Sequence, residues 1–192
     1  MVSPTQLSVL RMVPIARRIA RAGAGDLAVF RLLNSVRGWD TEHTPVNDVE
    51  WALAQVRARL GAEVPICLVG HSLGGRAGVL SAGHDDVHSV VALAPWVYPT
   101  DGRIDARGRQ ILIVHGELDR IAHLSSAVVV ADDLRRTARV GFITIPGGKH
   151  AMLRHHRLFD SAAADYAVGT LLGRRTPGPV SDILDGTPQI RL

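Results

Sequence analysis

Lysine, cysteine and aromatic residues are scarce in this sequence, and each shortage excludes a class of function. All but one of the 22 basic residues are arginine, the exception being Lys149. Aromatic residues make up 4% of the chain and do not interleave with the arginines as on a base-stacking surface. Despite the net charge of +4, we therefore expect no nucleic-acid partner. The single cysteine, Cys67, cannot form an internal disulfide and lies in an apolar run, which favours a buried thiol over a reactive one.

Long hydrophobic runs are also missing. No apolar stretch approaches the roughly 18 residues that a membrane-spanning helix needs. The N-terminal segment is interrupted by polar residues and proline, so no signal peptide is apparent. We therefore expect a cytoplasmic protein with no membrane partner. With 192 residues, of which 46% are hydrophobic, the chain fits one domain with a substantial core.

Apolar runs alternate with helix-like segments, and this alternation predicts an α/β architecture. The expected sheet is mostly parallel and doubly wound, has helices on both faces, and carries its functional site at the C-terminal ends of the strands. Predicted strands are residues 27–33, 64–69, 87–94, 110–114 and 140–145. Predicted helices occupy residues 5–22, 46–60 and 73–82, with two more inside 121–139 and 151–172. We predict a single domain over residues 1–172 and a mobile tail rich in proline and glycine over 173–192.

Ser72 stands at the tip of a sharp turn between a predicted strand and a predicted helix. It lies in the sequence Gly-His-Ser-Leu-Gly-Gly, directly after the apolar run 64–69. Glycines on both sides of the serine, Gly70 and Gly74, avoid a clash between Cβ atoms at such a turn. The turn also places Ser72 at a helix N-terminus, where free N–H groups favour an oxyanion. This pattern predicts a nucleophilic serine.

An acid and a histidine follow the serine, each just beyond a predicted strand. Asp119 comes after the strand 110–114, and His150 comes after the strand 140–145. Taken alone, each could be a turn or helix-capping residue. Their joint position matches a chemistry in which a base takes the serine proton and a carboxylate fixes the tautomer of that base. Asp101 is the alternative acid.

These motifs resemble those of the α/β-hydrolase superfamily. The similarity runs over about residues 27–172 and is strongest to the compact, lidless members related to dienelactone hydrolases and prolyl-oligopeptidase catalytic domains. The resemblance implies Ser72 as nucleophile, Asp119 as acid, His150 as base and the N–H of Leu73 as an oxyanion donor. Dienelactone hydrolases carry a cysteine nucleophile, so their specific activity is not implied for this serine.

The resemblance implies a small ester or related acyl compound as substrate, with no cofactor and no metal. His71, Trp39 and Trp96 are candidates for lining the substrate pocket, although plain packing explains the two tryptophans equally well. The sequence leaves open the identity of the substrate and the oligomeric state, a homodimer included.

One part of the expected site is not found in the sequence. Acyl transfer needs a second oxyanion donor, which the family takes from a loop before its first helix. The strand that leads into that loop belongs between the strands 27–33 and 64–69, and no segment supplies it. We therefore predict an N-terminally shortened fold, and leave open whether Met1 is the true start. The predicted function is a serine hydrolase, and the alternative is a catalytically weak or inactive member that serves as a binding or scaffold module.

Overall fold

The computed structural model describes residues 7–61 and 64–192. Its strands are Ile66–His71 (β1), Val87–Leu93 (β2), Gln110–Gly116 (β3), Arg139–Ile145 (β4) and Gln189–Arg191 (β5). Its α-helices are Leu7–Gly23 (α1), Thr44–Leu60 (α2), Leu73–Leu80 (α3), Leu124–Leu134 (α4), His156–Leu172 (α5) and Pro179–Leu184 (α6), and a 3₁₀ helix spans Pro99–Arg103.

The five strands form one parallel sheet in the order of the chain, each pairing with the next. The centres of β2 and β3, residues 90–93 and 111–114, are continuous apolar runs, as expected for strands that helices cover on both faces. Val90 and Val91, which pair with Ile111 and Leu112, are fully buried. Because all strands run in one direction, the loops that follow them meet at a single edge of the sheet.

The helices cover the two faces of this sheet and close a core on each side. Helices α1, α5 and α6 bury Ile15, Phe159 and Ile183 on one face. Helices α2, α3 and α4 bury residues such as Leu53 and Val79 on the other face. Within the described ranges, no helix combines the length and the apolar character needed to cross a membrane.

Helix α1 runs through Pro14 as one continuous helix. Its partly buried Arg11 donates to Asp160 of α5 at 3.0 Å, and this ion pair ties α1 to the helix beside it. The first two residues of the predicted helix, 5 and 6, lie outside the described residues.

The predicted strand 27–33 is not a strand in the structure. The segment has no ladder partner, and Phe30 is 48% exposed. An extended segment becomes a strand only by hydrogen bonding to a neighbour. Among the described residues, none pairs with the free side of β1, where that neighbour would have to lie. The segment therefore remains irregular, with Leu27 and Val29 packed against the core.

Strand β1 consequently forms an edge of the described sheet. Its residues from Ile66 to Val69 are only half-buried, in contrast to the fully buried central strands. Cys67 lies in this strand, and burial of the thiol raises its pKa to about 11. The thiolate is therefore scarce at neutral pH, and the cysteine is a packing residue.

The predicted mobile tail, residues 173–192, is instead part of the folded domain. Val180, Ile183 and Leu184 of α6 are buried, and β5 extends the sheet by pairing Ile190 with Ile143 of β4. A Cβ atom on Gly141 would lie 2.1 Å from Ile183 Cγ2, so glycine is required where α6 crosses β4. The sequence did not predict this fold because α6 is only six residues long, and its apolar residues are surrounded in the sequence by proline, glycine and charged residues.

Candidate active site

Ser72 occupies the turn between β1 and α3 in a backbone conformation that is unfavourable for any residue but glycine. Its φ is 56° and its ψ is −121°. Such a conformation costs about 1–3 kcal/mol and persists only where the surroundings fix it. Here the Ser72 N–H donates to Leu93 O at 3.0 Å, and its carbonyl accepts from the Trp96 N–H at 3.1 Å. The end of β2 and the loop after it thus hold the serine in place.

Gly70 is required at this turn, whereas Gly74 is not. A Cβ atom on Gly70 would lie 2.1 Å from the carbonyl oxygen of Gly74, inside any permitted contact distance. A Cβ atom on Gly74 would meet no such neighbour within 4 Å. The predicted crowding is therefore one-sided, because the backbone of Gly74 presses on the side-chain position of Gly70 and not the reverse.

We expect Gly70→Ala to disrupt the turn and Gly74→Ala to leave it intact. The new methyl group at position 70 must displace backbone, which costs about 3 kcal/mol of folding free energy and, by moving Ser72, about a hundredfold in any activity of this site. Gly74→Ala gains helix propensity of about 1 kcal/mol in α3. Urea unfolding of both variants measures the difference, and equal stabilities would contradict the assignment.

Ser72, His150 and Asp119 form a continuous chain of hydrogen bonds. The Ser72 Oγ lies 2.9 Å from His150 Nε2, and His150 Nδ1 lies 2.8 Å from Asp119 Oδ2. A carboxylate only accepts, so the ring proton sits on Nδ1 and the lone pair of Nε2 faces the serine hydroxyl. The Asp119 side chain is fully buried, and the imidazole is 13% exposed. This arrangement can remove a proton from Ser72.

The loops that carry Asp119 and His150 are fixed to each other. The other carboxylate oxygen of Asp119, Oδ1, accepts from the N–H groups of Ile121 and Ala122 at 2.9 Å each. The Leu118 N–H donates to Gly148 O at 2.8 Å, which joins the loop after β3 to the loop after β4. Both residues are therefore held in place before any substrate arrives.

Leu73 is the first residue of α3, so its N–H has no acceptor inside the helix. Together with the positive end of the helix dipole, this N–H can stabilise negative charge beside Ser72. The oxyanion role that the sequence resemblance implied for Leu73 stays a prediction.

Asp101, the alternative acid, is engaged elsewhere. Its carboxylate accepts from Arg76 Nε at 2.8 Å and Arg76 Nη2 at 3.2 Å, and from the Tyr98 N–H at 2.9 Å. The Arg76 guanidinium is stacked between the rings of Trp39 and Tyr98, at 4.1 and 4.6 Å from their centroids. Sequence reasoning missed Arg76, although it is the only charged residue in α3 and therefore conspicuous there.

We expect Asp101→Asn to destabilise the protein without changing the chemistry of the site. Removing one partner of a buried ion pair leaves Arg76 uncompensated and costs about 3–5 kcal/mol. Thermal unfolding should show the loss, while kcat measured well below the melting temperature should stay within about twofold of the parent protein, since the substitution changes none of the groups that carry the proton. A large loss of kcat in the folded variant would instead give Asp101 a role in proton transfer.

The three candidate pocket residues have different positions. Trp39 is committed to the stack on Arg76. Trp96 makes an edge contact with Tyr98 at 5.2 Å between ring centroids and lies next to Ser72 through its backbone hydrogen bond. His71 packs against His150 with ring centroids 4.9 Å apart. Their role in lining a substrate pocket therefore stays a prediction.

Two cavities lie at the opposite end of the strands from Ser72. One, of about 190 Å³, includes Gln110 and Arg139, the first residues of β3 and β4. The other, of about 200 Å³, includes Val87, the first residue of β2. Neither contains Ser72, Asp119 or His150.

Neither protein-family models nor curated proteins match the sequence. Solved structures do. The esterase domain of a Rhodothermus marinus protein has a TM-score of 0.61 at 19% identity, covering 88% of this chain and 80% of that one. Est1E from Butyrivibrio proteoclasticus with ferulic acid bound has a TM-score of 0.63 at 15% identity, covering 89% and 86%. A serine hydrolase without a lid from Xanthomonas campestris has a TM-score of 0.59 at 19% identity, covering 82% and 73%.

The chain has a shortened α/β-hydrolase fold. The predicted fold class is thereby confirmed. Within this α/β-hydrolase sheet, Ser72, Asp119 and His150 follow β1, β3 and β4 and converge at the C-terminal edge of the sheet.

Proposed function

We propose that this protein is a serine hydrolase that cleaves small carboxylic esters or related acyl compounds. The observation that carries the proposal is the hydrogen-bonded chain from Ser72 through His150 to the buried carboxylate of Asp119. Structural similarity to esterases and serine hydrolases supports the same reaction class.

Acylation follows from this arrangement. The Ser72 Oγ attacks the ester carbonyl carbon while His150 Nε2 takes the hydroxyl proton. Asp119 accepts the Nδ1–H of the imidazolium that forms and so stabilises its charge. His150 then gives the proton to the leaving alcohol oxygen as the C–O bond breaks, and an acyl-Ser72 ester remains.

Deacylation repeats these steps with water. His150 takes a proton from the water that attacks the acyl carbonyl, and the proton passes to Ser72 Oγ as the acid departs. In both halves the carbonyl oxygen becomes negatively charged, and the Leu73 N–H with the dipole of α3 stabilises it. No cofactor or metal is needed to balance either half.

Trp96 is the aromatic residue tied by its backbone to the proposed nucleophile, since its N–H donates to the Ser72 carbonyl. An aromatic side chain near the serine would suit an aryl or short acyl group.

The alternative function is a weak or inactive hydrolase-fold protein that binds a ligand or partner. The side of β1 that has no partner among the described residues favours it, because the sequence predicts that the strand before the second oxyanion donor lies on that side. Loss of one oxyanion donor typically lowers the rate about 10²–10³-fold.

A fluorophosphonate probe and a series of aryl esters separate the two functions. We expect covalent labelling at Ser72, located by mass spectrometry of the modified peptide, and turnover that is fastest for short acyl chains. Labelling with turnover only slightly above the buffer rate would favour the weak-enzyme alternative. Absence of both would refute the hydrolase proposal.

A further inference from the structure

His71, the last residue of β1, forms a hydrogen bond with the backbone of His150. Its Nε2 lies 2.9 Å from the carbonyl oxygen of His150. A carbonyl oxygen only accepts, so Nε2 carries the proton and donates it. The Nε2–H of His71 therefore donates the hydrogen bond that ties β1 to the loop after β4.

This bond is significant because His150 lies in an irregular loop between β4 and α5. Among the described residues, no backbone N–H donates to the His150 carbonyl. The side chain of His150 has its two bonds to Ser72 and Asp119, and the side chain of His71 supplies the bond to its backbone carbonyl. A shift of this loop would move the imidazole away from both partners.

The His71 ring is itself held on two sides. Its centroid is 4.9 Å from that of His150, with the rings inclined at 41°, and 6.2 Å from the ring of Phe159 in an edge contact. Phe159 is fully buried on α5. The donor therefore has a fixed direction and does not need to be ordered when substrate binds.

The surroundings keep His71 uncharged. Burial lowers the pKa of its imidazole to about 4, even though the bond to the His150 carbonyl favours protonation. The ionisable groups that face it are Arg11 from α1, His150 and Asp119. A neutral ring at this position adds no positive charge beside His150 when His150 takes up the serine proton.

We propose that His71 is a positioning residue, which fixes the general base His150 through a hydrogen bond to its backbone carbonyl. The inference rests on the proposed hydrolase function and adds a residue to it. Because the bond acts on the geometry of proton transfer and not on substrate binding, its loss should lower kcat and leave KM unchanged.

Two nearly isosteric variants test the bond. His71→Gln keeps an N–H donor of similar reach, whereas His71→Met keeps the volume and has no donor. We expect His71→Met to lower kcat about five- to tenfold, with KM within about twofold, and His71→Gln to retain most of the activity. His88→Met is the matched control, because His88 lies at the start of β2, at the opposite edge of the sheet from His71, and its kcat should equal that of the parent protein.

A spectroscopic measurement tests the same bond without turnover. The proton between His150 Nδ1 and Asp119 should give a low-field ¹H resonance, sharp in the parent protein and in His71→Gln, and broadened or lost in folded His71→Met. His71→Leu repeats the comparison if the methionine variant does not fold.

Equal behaviour of the glutamine and methionine variants in this resonance would overturn the positioning role. If the parent protein and the two variants show the expected resonances but the parent protein hydrolyses no ester, the proposed hydrolase function is refuted. The hydrogen bond between His71 and His150 is then still supported. The two failures are therefore distinguishable.

Discussion

Ser72→Ala should abolish ester hydrolysis, with a loss of kcat of about 10⁴-fold or more. The Ser72 hydroxyl is the group that hydrogen-bonds to His150 Nε2, and without it no acyl-enzyme can form. Release of nitrophenol from a short aryl ester, followed under single-turnover conditions, measures the loss directly.

The melting temperature of Ser72→Ala shows whether the variant is folded, and it is therefore the control for the loss of activity. Alanine tolerates the positive φ of position 72 no better and no worse than serine, so the melting temperature should change little. A variant that still reacts with a fluorophosphonate at the parent rate would show that the nucleophile is another residue.

Asp119→Asn should lower kcat about 10⁴-fold while leaving the fold intact. The two backbone N–H groups of Ile121 and Ala122 require an acceptor, so the amide oxygen of asparagine takes the place of Oδ1. The amide NH₂ then faces His150 Nδ1, where the carboxylate had accepted. The imidazole must turn to its other tautomer and present an N–H to Ser72, and it can no longer take the serine proton.

Asp101→Asn is the matched comparison, because it makes the same chemical change at the other candidate acid. The expected pattern is reciprocal, with activity lost and stability retained at position 119, and stability lost and activity retained at position 101. Measurement of kcat and melting temperature for both variants suffices. If both substitutions lowered kcat alike, the carboxylate of Asp119 would not be the one that orients His150.

The sequence predicted the parts of the molecule that local patterns determine. One apolar run is followed by the glycine-flanked Ser72, and two later runs are followed by Asp119 and His150. This order is enough to indicate a parallel sheet with three loops at one edge. The α/β-hydrolase fold follows from that order, and the structure brings these three side chains together at the expected place.

Features that depend on distant contacts could not be predicted in this way. The segment 27–33 has the composition of a strand, but only a neighbouring strand could make it one, and β1 has none on that side in the described chain. The burial of α6 depends on the space above Gly141, which no local pattern reveals. The stack on Arg76 joins Trp39 and Tyr98 across almost sixty positions of sequence, with α2, β1, α3 and β2 between them along the chain.

The side of β1 that has no partner in the described chain bears on how concentrated this protein can be kept. The unpaired backbone groups there, beside half-buried side chains, can pair with the edge of another extended chain. Such pairing takes two or more molecules, so it increases with protein concentration, whereas folding does not. Because Ser72 follows directly on β1, a chain added along this strand would reach the edge of the sheet that carries Ser72, and we expect specific activity to fall as stock solutions are concentrated.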